Sequence, residues 1–273
     1  MAIKKLTFDA KSKEKTIRGK FKPSVHAERE FSKSLRKVAK ASGAIVNRHV
    51  KGVKIASPEK MQKELDDYAK KLEPWARSQA EKMLATVMRS NKSAYSAKKA
   101  QLKEAGIIGK ELRSVIEETE TGAIALSLIE EQVGLIQSLP LEAGQRAQRI
   151  ATEAVLAGTR AQVNSDTVRE LQKELGLTTE VAESRAKLIA ITETARANAA
   201  INQSRAMSAG SGKYRWHNSG DEAVRHSHKI YKGRKMQGQI FSWDDPPTLS
   251  DGMTGHPGTF PRCRCFAEPV FED

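Results

Sequence analysis

From Ser96 to Lys213 the chain contains no Phe, Trp or Tyr, whereas eight of its fourteen aromatic residues lie from Tyr214 onward. Aromatic side chains bury the largest area per residue, so a stretch of this length without them cannot fill a thick core. It must instead bury thin Ala, Leu and Ile stripes between helices. The aromatic-rich end also holds both cysteines and four of the six histidines. Chemistry or fine recognition is therefore expected there, with a change of character at Gly210. The fold class this division implies is mainly α, an elongated helical region followed by a small α+β C-terminal domain.

Hydrophobic spacing gives the helices. From Pro23, the positions Phe31, Leu35, Val38 and Ser42 describe a short amphipathic helix ending near Gly43, its other face almost wholly basic. Ser57-Pro58 reads as N-cap and first helical residue, and Met61, Leu65, Tyr68 and Leu72 follow at helical steps. Pro74 kinks or restarts that helix, and a break is expected at Ser90-Asn91. A helical pattern resumes near Ala97, is interrupted around Gly106–Gly109, continues through Leu112, Val115 and Ile116, and restarts at Pro140. Glycines 158 and 176 punctuate it, and an Ala-rich helix runs from Thr178 or Thr179 to about Met207. Lys213–His217 and Gln239–Trp243 read as strands, Glu222–Tyr231 as one or two helical turns, and the chain beyond Pro246 as loop. The expected division is a partly flexible basic arm with a short helix (1–57), a helical region (58–208) and a compact α+β domain (209–273).

Charge is as uneven as aromatic content. Residues 1–60 hold 17 Lys/Arg against 5 Asp/Glu, a net of +12 out of the chain's +14. Such a segment attracts polyanions, and each phosphate it engaged would release counterions. Double-stranded DNA is the first candidate partner, through Lys4, Lys5, Lys11, Lys13, Lys15, Arg18, Lys20, Lys22, Lys33, Arg36, Lys37 and Lys40. An acidic protein surface or a merely solvated helix are the alternatives. Lys4 and Lys5 interrupt any secretory apolar run after Met1, and no segment reaches the length of a membrane span. Synthesis in a cytosol-like space is the expectation.

At the C-terminal end, His228, His256, Cys263 and Cys265, with His226 or Asp221 in reserve, offer soft and borderline ligands for one tetrahedral Zn²⁺. The C-x-C spacing is shorter than that of common structural zinc sites, and His226 and His228 share a side only if their segment is extended. Reduced or mutually bonded cysteines tethering loops is the competing reading. Arg225, Arg262 and Arg264 suit either an anion site or ion pairs that hold a loop-rich domain together.

The order Thr192-Glu193-Thr194-Ala195-Arg196-Ala197-Asn198 on a helix, Trp216 after a glycine turn, Asp221 with Val224-Arg225 and His228, Gly233, His256-Pro257, and Cys263-Arg264-Cys265 followed by Pro269 resembles the phage Mu F-type minor head protein domain. This domain is also called the phage head morphogenesis domain. The resemblance covers about residues 145–273 and makes Thr192, Glu193, Asn198, Trp216, Asp221, Arg225, Pro257 and Arg264 structural or docking residues. Ile191 stands where that family usually has Arg, which puts an Arg–Glu pair at that point in doubt. The resemblance implies a virion protein inside the head at the portal vertex, made in the host cytoplasm. Portal protein, major capsid or scaffold protein and DNA would be its partners, and the resemblance implies no established catalytic activity. The alternative is a metal-dependent hydrolase or nuclease using the histidines and cysteines. No phosphate-cradling Gly-rich loop and no H-E-x-x-H helix supports it.

Overall fold

The computed structural model of the chain describes residues 17–104, 121–159 and 165–271. Lys4, Lys5, Lys11, Lys13 and Lys15, and the helical pattern around Leu112, Val115 and Ile116, lie outside the described residues. The class is mainly α with a small α+β region near the C-terminus. In chain order come α1 (Val25–His49), β1 (Val50–Lys51), β2 (Lys54–Ile55), α2 (Pro58–Lys71), α3 (Glu73–Glu104), α4 (Thr121–Thr159), α5 (Ser165–Gly176) and α6 (Thr178–Ser208). There follow β3 (Lys213–His217), the short α7 (His226–Lys229), β4 (Ile230–Tyr231), β5 (Arg234–Lys235), β6 (Ile240–Ser242) and β7 (Phe266–Val270). No helix among the described residues is long and apolar enough to cross a membrane.

The described residues gather into two units. One draws on residues 17–28, 82–104, 121–128 and 191–271, the other on residues 29–81, 129–159 and 165–190. This grouping cuts across the consecutive blocks 1–57, 58–208 and 209–273, because each core is assembled from segments far apart in sequence. Phe21 and Tyr95, for example, are buried in the same cluster as Tyr214, Trp216 and Trp243.

Several helices continue where local sequence signals stop. α1 passes through Gly43 to His49, six residues beyond the expected end. A Cβ on Gly43 would collide with Thr179 Oγ1, so this glycine marks a close approach and not a terminus. α3 runs through Ser90-Asn91 because Asn91 is buried and its side-chain oxygen accepts a hydrogen bond from Arg205 Nη1 at 2.7 Å. α4 contains Pro140 without restarting. Proline inside a helix costs about 3 kcal/mol. Burial of Ile136, Leu139, Ala143 and Ala147 around it offsets that cost. Pro74, in contrast, does sit at a restart, since α2 ends at Lys71 and α3 begins at Glu73. Ser57 occupies the N-cap of α2 with extended backbone, but its side chain makes no capping hydrogen bond.

The helical unit packs Ile45, Val46, Met61, Leu65, Ala143, Ala147, Ile150, Leu171 and Leu175 into one cluster, with the β1–β2 hairpin residues Val50, Val53 and Ile55 against its side. In the aromatic unit, α6 ends in a glycine cap. Gly210 has φ 79°, and Ser211 N–H donates to Ala206 O at 2.8 Å across it. This is the six-to-one bond that closes a helix C-terminus when a left-handed residue follows. The chain then enters β3, the centre of an antiparallel sheet of order β6-β3-β7. The segment after Pro246 is thus not all loop. Pro269 hid β7 from sequence reading, since proline lacks a ladder donor, but β7 is an edge strand, where proline is tolerated.

Candidate functional site

β3 sends alternate side chains to opposite faces. Tyr214 and Trp216 enter the aromatic core, where Tyr214 lies 4.4 Å from the Trp243 ring and 5.9 Å from Phe241, centroid to centroid. Arg215 and His217 take the other face, paired across to Glu268 and Phe266 of β7. There His217 stacks on Phe266 at 5.2 Å, and its Nε2 lies 2.9 Å from Glu268 Oε2. Lys98 Nζ of α3 reaches the other oxygen of the same carboxylate at 2.9 Å. Burial raises the Glu268 pKa, but the hydrogen bond from His217 and the charge of Lys98 outweigh it and hold the group at about 2.

The sulfur-imidazole cluster forms around α7 and the final loop. α7 is a single helical turn, so residues two apart point about 200° away from each other. His226 is accordingly exposed and His228 buried. Ser227 Oγ donates to Asp251 Oδ2 at 2.7 Å and ties this turn to the loop before His256. The His228 ring stands edge-on to Trp216 at 5.7 Å and tilted to Phe260 at 5.0 Å. Cys263 and Cys265 flank exposed Arg264 on an alternating segment, so both thiols turn inward. His228 Nδ1 lies 3.5 Å from each sulfur, and the three residues form one buried group. A hydrogen bond from the Cys265 thiol holds Cys263 down to about 5 against the effect of burial, with His228 helping, while the same proton sharing raises Cys265.

His256, expected beside the cysteines, is not part of this group. Its Nδ1 is 3.1 Å from the Tyr214 hydroxyl and its ring packs 5.5 Å from Trp243, where burial lowers its pKa. The reserve ligands are exposed as well, His226 because its segment is a helical turn and not a strand, and Asp221 in the bend before that turn. The remaining motif residues hold the loop in place. Thr192 Oγ1 accepts from Arg262 N–H at 3.1 Å, at a position whose φ of 57° presents that amide. Pro257 and Gly258 are buried, and a Cβ on Gly258 would come within 3.2 Å of Ala195 O and Cys265 O. Arg225 Nη2 donates to Pro261 O at 2.9 Å, and Arg264 pairs with Glu28 at 3.1 Å. Asn198 Nδ2 donates to Phe21 O. Glu193, whose partner the Ile191 departure put in doubt, is paired with Arg196 at 3.2 Å, one helical turn on.

Sequence reading missed a polar layer on α6. Asn202 Nδ2 donates to Ala267 O at 2.9 Å, Tyr95 Oη donates to Asn202 O at 2.8 Å, and Arg205 Nη1 donates to both Asn91 Oδ1 and Met88 O. The signal was present as Asn198, Asn202 and Arg205 at i, i+4 and i+7 on an otherwise Ala-rich helix, a stripe that only buried polar partners can satisfy. Of the basic residues, Lys20, Lys22, Lys33, Arg36, Lys37 and Lys40 are exposed and Arg18 is partly so. Lys22 Nζ lies 5.9 Å over the Phe266 ring. Arg29, also exposed, extends the α1 series as 29, 33, 36, 37 and 40, a single stripe that the sequence reading left incomplete.

These features define a helix-scaffolded domain with a small aromatic sheet and a buried Cys-Cys-His cluster. Residues 145–268 match the sequence model described as Phage Mu protein F like protein, in line with the resemblance carried by the C-terminal motifs. An uncharacterized protein of Haemophilus influenzae is 35% identical over 140 residues, which is 51% of this chain and 28% of that protein. The chain therefore spans little more than a quarter of the length of this relative. No solved structure matches.

Proposed function

We propose that this chain acts in phage head morphogenesis as a minor head protein inside the virion at the portal vertex. The single observation that carries this reading is the family match over residues 145–268, the region that holds α6 and nearly all of the aromatic sheet. Portal protein and major capsid or scaffold protein are the partners. The motif residues support a docking role and not a catalytic one. Thr192, Asn198, Arg225 and Arg264 spend their polar groups on loop and helix ties, and His228 and both cysteines are at most 6% exposed, which leaves that cluster without an accessible nucleophile.

Packaged DNA is the second contact. The exposed stripe Arg29, Lys33, Arg36, Lys37 and Lys40 on α1 supplies cations at helical spacing along one face. Engagement of about four phosphates gives a slope near −3.6 in log K against log salt, with little sequence preference. Purification of the chain from cells assembling heads tests the main reading. A stoichiometric complex with portal protein is expected, and its absence at every salt concentration would sink the proposal.

A further inference from the structure

The Cys-Cys-His cluster goes beyond a docking role. We infer that His228, Cys263 and Cys265 bind one Zn²⁺ that fastens the final loop to α7, with His256 outside the site and water at the fourth position. The ligand atoms, one from each residue, all lie within 4.8 Å of one another. His228 Nδ1 is equidistant from the two sulfurs, at 3.5 Å. With bonds of about 2.3 Å to sulfur and about 2.0 Å to nitrogen, a tetrahedral zinc site has an N-to-S edge of about 3.5 Å. Two thiolates and one imidazole form a soft, borderline set that favours zinc over oxygen-preferring cations such as magnesium or calcium.

The surroundings pre-shape the set. The C-x-C segment turns both sulfurs to one side, and Arg264 between them faces outward to Glu28. The rings of Trp216 and Phe260 pack on the imidazole from two sides, and the Phe260 carbonyl accepts the Cys263 amide at 3.0 Å. Among the described residues no fourth His, Cys, Asp or Glu joins the three, which leaves the last tetrahedral position to water. The position left to water is the arrangement of catalytic zinc, but burial of all three ligands keeps substrate away and leaves the ion the role of a fastener. It links the single turn α7 to a loop 35 and 37 residues further along the chain.

The test is metal analysis of the full chain, purified under reducing conditions without a metal-affinity step. About one zinc per chain is expected, and cobalt substitution should give thiolate-to-cobalt charge-transfer absorption with tetrahedral ligand-field bands. His228→Ala and Cys265→Ser should each lose most of the metal, whereas His256→Ala should keep it. Should the first two variants fail to fold, titration of the wild-type thiols with an organomercurial decides the matter, because zinc must be released in step with two reacting cysteines. A folded metal-free protein would overturn the inference. So would zinc retained by folded His228→Ala, zinc release independent of thiol modification, or a Cys263–Cys265 disulfide in protein prepared without oxidant.

Discussion

The aromatic unit and the helical unit reach stability by different routes. The aromatic unit packs Tyr214, Trp216, Trp243 and Phe260 on one face of a three-stranded sheet and Phe266 on the other, and lets buried polar groups fix the path of its loops. The helical unit has Tyr68 as the one aromatic residue against its described cluster and relies on Ala, Leu and Ile, with Gly43 and Gly144 where neighbouring atoms come too close for a Cβ. Large rings fill volume that a short sheet and long loops leave open, whereas small residues let helices approach and gain many weak contacts. A family of ordered motifs therefore sits in the first unit, and the second reads as ordinary helical periodicity.

The sharpest contrast comes from truncation. Trp216→Ala removes the largest fully buried side chain among the described residues and is expected to destabilise the fold by about 3–5 kcal/mol in urea unfolding, more than any single change at a helical-unit alanine. A Trp216 variant as stable as the parent would end the view that rings carry this core.

Next is the buried triad of Lys98, Glu268 and His217. Lys98→Met leaves the buried Glu268 carboxylate facing His217 without its ammonium partner, and about 3 kcal/mol of destabilisation is expected. Acid should expose the same group. Its folded pKa of about 2 lies below its ordinary 4.5, so its contribution is complete above pH 4.5 and is lost as pH falls through 2. Glu268→Gln should flatten that part of the stability profile, and an unchanged acid limb would show that the triad contributes nothing.

Two further substitutions compare the ways the units are tied. Asn202→Ala removes the donor to Ala267 O and should cost about 1–3 kcal/mol through the carbonyl it leaves unpaired. Gly43→Ala, in the helical unit, should cost a similar or smaller amount, about 1–2 kcal/mol, through overpacking against Thr179. Thermal unfolding of the two variants separates polar satisfaction from close approach.

The smallest stability effect is expected on the α1 surface. Changing Lys33, Arg36 and Lys37 together to Gln should leave the melting temperature nearly unchanged, since all three are exposed. The same variant should bind duplex DNA more weakly, with a shallower salt slope. Unaltered DNA affinity would remove α1 from the proposed contact.

Legibility followed the range of the interactions concerned. Composition and period 3.6 pointed to helices, and the aromatic boundary near Gly210 coincides with a true helix cap. Motif order was enough to see the resemblance that the match over residues 145–268 repeats. Signals that act within a few residues misled where distant partners intervened. Gly43, Asn91 and Pro140 look like breaks, but contacts with Thr179 and Arg205 and the burial around Pro140 carry the helices through them. At the site, His228 and the C-x-C pair do converge. His256 does not, because a ring that can hydrogen-bond to Tyr214 and pack on Trp243 has another place to go.

The sequence by itself determined the helical class, the cationic character of the first sixty residues and the motif order that resembles a phage head domain over residues 145–268. Only the tertiary structure decided which histidine meets the sulfurs, which polar residues of α6 are buried and where β7 joins the sheet. Periodicity and short spacing follow from local backbone geometry, which every residue carries with it. The choice of a partner some thirty or more residues away depends on how whole elements pack, and one chain read in order does not contain that geometry.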